Sequence, residues 1–134
     1  MMDCDFLLVG HGIAGAALAC VLRERGHRVL VYDPGQANSA SNVAAGLMNP
    51  VAGKRFALSW RAAELLPAAA VFYRALGQRY GQSFFTETPI FKIFSSPEEQ
   101  NAVLARSADR PWGDFCESYI IKVSVFKNKI LNFF

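Results

Sequence analysis

An α/β fold built on a parallel strand–helix–strand unit is predicted for this 134-residue chain. Three observations predict it. An apolar run stops at a glycine cluster, an amphipathic stretch follows, and a second apolar run ends in an acidic residue, all within about 30 residues.

Phe6-Leu7-Leu8-Val9 is a short continuous apolar run ended by Gly10, the pattern of a buried parallel strand. Ile13 to Arg25 carries apolar residues at Ile13, Ala16, Ala17, Cys20, Val21 and Leu22, a helical spacing, and Gly26 stops it. Arg28 to Asp33 (RVLVYD) is the second strand. Strand, helix and strand in this order imply a parallel pair. Pro34 to Asn49, rich in Gly, Ser, Asn and Ala, reads as a loop that touches a ligand or leads into a short helix.

Trp60 to Tyr80 reads as a helix interrupted at Pro67, with Trp60, Phe72, Tyr73 and Tyr80 at core spacing. Phe84 to Ser95 reads as extended, with a bend at Thr88-Pro89 and a strand over Ile90–Phe94. Ser96-Pro97-Glu98-Glu99 is a helix start, with Ser96 as cap, Pro97 at the first helical position and Glu99 completing a capping box. That helix runs to about Arg106.

Composition narrows the function classes. With 52% hydrophobic residues the chain has material for a core and is not of disordered type. The net charge of +3 is scattered, with no Lys/Arg run longer than Lys54-Arg55, so no nucleic-acid partner is expected. Cys4, Cys20 and Cys116 form no metal pattern, and no metal site is expected. Cys4 and Cys20 read as buried core thiols of a reducing compartment. Asp3 and Asp5 occupy the place of a basic leader segment, and no apolar stretch is long enough to span a membrane. The expected location is cytoplasmic.

Gly10-His11-Gly12-Ile13-Ala14-Gly15 fits G-x-G-x-x-G. Gly10 permits the turn out of the strand, Gly12 lets a pyrophosphate approach the backbone, and Gly15 lets the helix pack close. The helix N-terminus aims N–H groups and a partial positive charge at phosphates. Asp33 ends the second strand, 18 residues after Gly15, where a carboxylate accepts hydrogen bonds from ribose hydroxyls. The motif alone is weak; its placement between two such strands is what predicts dinucleotide binding. Asp33 rather than arginine disfavours a 2′-phosphate, hence NADP. After Asp33, an NAD domain continues into another helix and strand. Here the small and hydroxyl-bearing residues Ser39 to Pro50 follow, suiting a second backbone approach to the cofactor. FAD is the expected cofactor. An NAD-binding module, with Ser39–Pro50 as a plain surface loop, is the alternative.

GHGIAGAALA, VLVYD and the S-x-x-x-A-G-x-x-x-P pattern from Ser41 to Pro50 resemble a known family. It is the FAD-dependent oxidoreductases that include D-amino-acid oxidases and dehydrogenases, glycine and sarcosine oxidases, and the flavin domain of a bifunctional tRNA wobble-uridine modification enzyme. The resemblance covers roughly Asp5 to Trp112. It implies a Rossmann-like FAD-binding unit followed by the start of an antiparallel substrate-domain sheet. It further implies that Gly10, Gly12, Ile13, Ala14 and Gly15 hold the pyrophosphate and Asp33 the adenosine ribose. Ser41, Ala45, Gly46 and Leu47 would line the rest of the cofactor. Lys54 and Arg55 fall where family members approach the flavin ring, and a cation there would stabilise reduced flavin or a substrate carboxylate. A solvated surface pair is the other reading of these two. His11 and His27 have no partner constellation for acid–base or metal chemistry.

The implied activity is oxidation of a C–N bond in a small amine or amino acid, by hydride transfer to flavin. Enzymes of this kind need roughly 350 residues, more than one ordinary domain, so a non-catalytic truncated fragment is a further alternative. The expected organisation is 1–83 for the N-terminal part of the FAD-binding domain and 84–115 for the start of the substrate domain. For 116–134 a non-native tail is expected, because the composition shifts abruptly to Ile, Lys, Asn, Val and Phe after Glu117. A frameshift, a broken gene or a cloning junction would produce it; a genuine terminal strand pair is the alternative.

Overall fold

The computed structural model describes residues 3–53, 56–91, 93–110, 112–117 and 120–126. They group into two compact units, one ending at Gly46 and the other running Leu47–Phe126.

The first unit holds β1 (Phe6–Val9), α1 (Ile13–Glu24), β2 (Val29–Tyr32) and the single-turn α2 (Ala40–Val43). β1 and β2 pair in parallel, from Phe6 opposite Val29 to Val9 opposite Tyr32, as the strand–helix–strand pattern predicts. Asp5 sets the register at one end. Its carboxylate accepts the Arg28 backbone N–H at 2.7 Å and the Arg28 guanidinium at 2.9 Å. Those Arg28 donors hold the Asp5 carboxyl down to about 2. α1 buries Ala16, Ala19 and Cys20. It closes where Gly26 N–H meets Arg23 O and His27 N–H meets Leu22 O, the paired bonds of a Schellman end.

Facing residues of paired strands share one side of a sheet. Leu7, Val9, Leu30 and Tyr32 therefore form one face, and they are 58%, 80%, 38% and 71% exposed. On the other face Leu8, Val29 and Val31 are half-buried. Phe6 shares that second face and is 40% exposed, so β1 is not the buried strand its apolar run predicts. A single helix covers one side of a two-stranded ribbon, and an apolar run records a need for cover on both. Cys4 also departs from expectation. It precedes β1 and is exposed, whereas Cys20 is buried.

The second unit holds β3 (Leu47–Met48), β4 (Val51–Ala52), β5 (Ala57–Leu58), α3 (Ala62–Tyr80), β6 (Phe85–Phe91), α4 (Pro97–Ser107), a 3₁₀ turn over Trp112–Asp114, β7 (Cys116–Glu117) and β8 (Ile120–Phe126). β3, β8 and β6 lie in that order in an antiparallel sheet, with β7 also on β8. β8 pairs with β6 along its whole length, Ile120 opposite Phe91 through Phe126 opposite Phe85. The ladder is made by main-chain groups, so this placement accommodates either origin of the segment after Glu117.

Pro67 does not interrupt α3, which runs unbroken through it. A proline costs the helix one bond to the carbonyl four residues back, here that of Ala63, and both residues are exposed to water. Trp60 lies outside α3 and is 76% exposed, with the Arg61 guanidinium 5.1 Å from its ring centre. It is not a core residue; Tyr73 is. Pro89 does not bend the chain either. It sits inside β6, opposite Lys122, where β6 is the edge of the sheet and its free side needs no N–H. Ser96 caps α4 by accepting the Glu99 N–H at 3.2 Å. Glu99 reaches back one residue further than a capping box requires, to the Ser95 N–H at 2.7 Å.

Val51, Phe56, Val103 and Trp112 form a buried cluster, with Leu58 and Phe94 against it. Phe84 is only 1% exposed and meets the Tyr80 ring edge-on at 6.5 Å. Truncating Phe84 to alanine is expected to cost about 3–5 kcal/mol, read as a lower denaturant midpoint with unchanged slope. No helix among the described residues is long and apolar enough to cross a membrane.

Candidate dinucleotide site

The β1–α1 loop is shaped by its glycines. Gly10 leaves β1 at φ +99, a conformation that side chains disfavour, and its N–H donates to Tyr32 O at 2.8 Å. A Cβ on Gly15 would lie 2.1 Å from Gly10 O, so α1 meets the strand exit with no room for a side chain. Gly12 is the N-terminal cap residue of α1. A Cβ there would lie 3.0 Å from Ser41 Oγ, so the space freed at Gly12 is bounded by Ser41.

The first bond into α1 runs from Ala16 N–H to Gly12 O. The N–H groups of Ile13, Ala14 and Gly15 precede it and point out of the helix end. That of Ile13 donates to Ser41 Oγ at 3.0 Å. Gly12 has no side chain with which to cap the helix, and Ser41, presented by α2, takes that place. A hydroxyl that accepts one bond keeps its own proton to donate.

Asp33 follows β2. Its Oδ2 accepts the His11 N–H at 2.6 Å and its Oδ1 accepts the Gly35 N–H at 2.7 Å. The His11 and Gly35 donors together hold its carboxyl below the usual range. Each carboxylate oxygen has a second lone pair, so Asp33 clasps the glycine loop and retains acceptors for hydroxyl groups. Sequence reasoning placed Asp33 but missed the His11 and Gly35 donors. The Asp-Pro-Gly triplet at 33–35 was the available signal, since it favours a turn in which the Asp side chain bonds two residues ahead.

Gly10, Gly12, Ile13, Ala14, Gly15, Asp33 and Ser41 therefore meet at one end of the β1–β2 pair. Ala45 and Gly46 follow α2 within the same unit, Gly46 with φ +71. Leu47 belongs to the second unit, where it opens β3 opposite Val125. Lys54 and Arg55 lie outside the described residues. The arrangement offers outward N–H groups, a hydroxyl and a carboxylate at one end of the strand pair, the donor and acceptor set of a phosphate-linked ribose. A hollow of about 430 Å³ lies elsewhere, beside the end of α3, and is lined in part by Arg74, Gln78, Gln82 and Phe85. Its cation is already paired, Arg74 with Glu87.

Among solved structures, the chain resembles glycine oxidase from Bacillus cereus ATCC 14579, with a TM-score of 0.64 and 21% identity. The likeness covers 97% of this chain and 43% of that one, so the chain spans less than half the length of the protein it matches and shares its fold. The family model for FAD-dependent oxidoreductases matches residues 5–125. That span holds the glycine loop, Asp33, Ser41 and the antiparallel sheet, and the chain belongs to the FAD-dependent oxidoreductase family.

Proposed function

We propose that this chain binds FAD through the β1–α1 loop and is the N-terminal part of an oxidase or dehydrogenase of small amines or amino acids. The observation that carries this is the joint clasp of the loop by Asp33 and Ser41. It leaves the helix end open to an anion, and the family match favours FAD over the NAD alternative.

The residues fit the cofactor in a specific way. The Ala14 and Gly15 N–H groups and the Ser41 hydroxyl would hold the pyrophosphate, and Asp33 the ribose. Gly10, Gly12 and Ile13 shape the cradle. Ala45, Gly46 and Leu47 would continue along the cofactor, and Lys54 and Arg55 would bring positive charge towards its ring or a substrate carboxylate. When bound, FAD supplies an acceptor for the hydride of a substrate C–H bond next to nitrogen. The chain's own part is to bind and orient. We further read 1–83 as FAD-binding, 84–115 as opening the substrate domain and 116–134 as a tail of other origin, in a protein of the cytoplasm.

A second reading is a fragment that captures FAD without turning over substrate, favoured by the 43% coverage of glycine oxidase. Anaerobic mixing of the FAD-loaded chain with a panel of small amines and amino acids separates the two. Bleaching of the visible flavin band by any member supports catalysis. A flavin that stays oxidised with all of them leaves the binding fragment.

A further inference from the structure

α2 is a single turn of four residues, and no side chain caps its start. So short a helix does not hold its place by its own bonds. Its place matters, because α2 carries the Ser41 hydroxyl that accepts the Ile13 N–H at 3.0 Å. The residue after Ser41 ties it down. Asn42 donates through its side-chain Nδ2 to Gln36 O at 3.2 Å. The same carbonyl accepts the Ser39 N–H at 3.1 Å. Ser39 O in turn accepts the Asn42 and Val43 N–H groups, at 2.9 and 3.2 Å. At the other end of this segment, Asp33 accepts the Gly35 N–H through Oδ1 and the His11 N–H through Oδ2. Residues 33–43 therefore grip the glycine loop twice, through Asp33 and through Ser41, and Asn42 braces the stretch between the grips. Asn42 is exposed, so it fills no core; what its carboxamide contributes is a directed donor.

We infer that Asn42 is a positioning residue for Ser41. By tying α2 to the Gln36 carbonyl it keeps the Ser41 hydroxyl at the end of α1, with its own proton directed away from Ile13. The consequence for cofactor binding rests on the proposed FAD reading; the brace itself does not. Without the Asn42 donor, α2 is held by main-chain bonds of one turn, and the Ser41–Ile13 contact opens more often.

Amide hydrogen exchange in the full chain without FAD, followed residue by residue by NMR, reads the brace directly. The Ile13 amide reports the bond to Ser41. The Gly10 amide, bonded to Tyr32 O at 2.8 Å, reports the strand pair. Asn42→Ala is expected to speed exchange at Ile13 by about threefold to tenfold, the effect of one hydrogen bond on an opening equilibrium, and to leave Gly10 unchanged. Asn42→Asp, which keeps the shape but has no N–H to donate, is expected to match it. Ser41→Ala is expected to speed Ile13 further, and adding Asn42→Ala to that variant to change nothing more. Unchanged exchange at Ile13 in Asn42→Ala, or an equal rise at Ile13 and Gly10, overturns the inference. So does a further rise when Asn42→Ala is added to Ser41→Ala. FAD affinity is expected to follow the same pattern, weakened by Asn42→Ala in the wild-type chain and not in Ser41→Ala. If the folded chain takes up no FAD while the exchange pattern holds, the FAD reading fails and the brace stands.

Discussion

Gly15→Ala is expected to weaken FAD binding by well over tenfold and to destabilise the first unit. The added Cβ would stand 2.1 Å from Gly10 O, well inside contact distance. Gly10 cannot retreat freely, because its N–H is bonded to Tyr32 O and its φ of +99 already lies at a tight turn. Either α1 shifts away from β1 or the turn re-forms, and both disturb the Ala14 and Gly15 N–H groups. Forcing a methyl into such a contact costs about 2–3 kcal/mol. Carried into binding, that weakens FAD by between about thirtyfold and about a hundredfold. Denaturation monitored alongside flavin fluorescence reads both effects on one sample. Unchanged affinity in a folded Gly15→Ala protein contradicts the assigned cradle.

Asp33→Ala is expected to weaken FAD by about tenfold to a hundredfold, through loss of charge-assisted acceptors. The change removes the ribose contact and unties the His11 and Gly35 N–H groups together. Asp33→Asn keeps the shape but presents an amide donor to one of those N–H groups, and falls between. The pH dependence has a definite sign. The His11 and Gly35 donors depress the Asp33 carboxyl, so the clasp is fully present above the ordinary carboxylate range. It is lost only as pH falls through the depressed value. FAD affinity measured against pH is therefore expected to persist through mildly acidic solution, and the acidic limb is expected to change in Asp33→Asn. An identical profile in both proteins assigns the limb to another group.

The geometry of the β1–α1 loop is legible in the sequence because its signals are local. Glycine at positions 10, 12 and 15 and an acid closing the next strand each report one backbone requirement at a fixed spacing. The helix start at Ser96 was legible for the same reason. What escaped the sequence depends on partners distant along the chain. The run Phe6–Val9 shows that β1 needs cover, but the bare face of Leu7, Val9, Leu30 and Tyr32 follows from what packs there. Pro89 read as a bend because its tolerance depends on β6 being an edge strand. The Trp112 bond to Phe56 joins residues 56 apart, and no periodicity announces such a pair. Ser41 was placed by resemblance along the cofactor; that its hydroxyl also caps α1 follows from a cap residue, Gly12, that has no side chain.

Equilibrium titration of the full chain with FAD, followed by quenching of flavin fluorescence, tests the central claim most directly. Saturation at one FAD per chain, weakened in Gly15→Ala and Asp33→Ala, is the expected result. No binding by the folded chain, or binding that neither variant weakens, would contradict the assignment of the β1–α1 loop as the cofactor site.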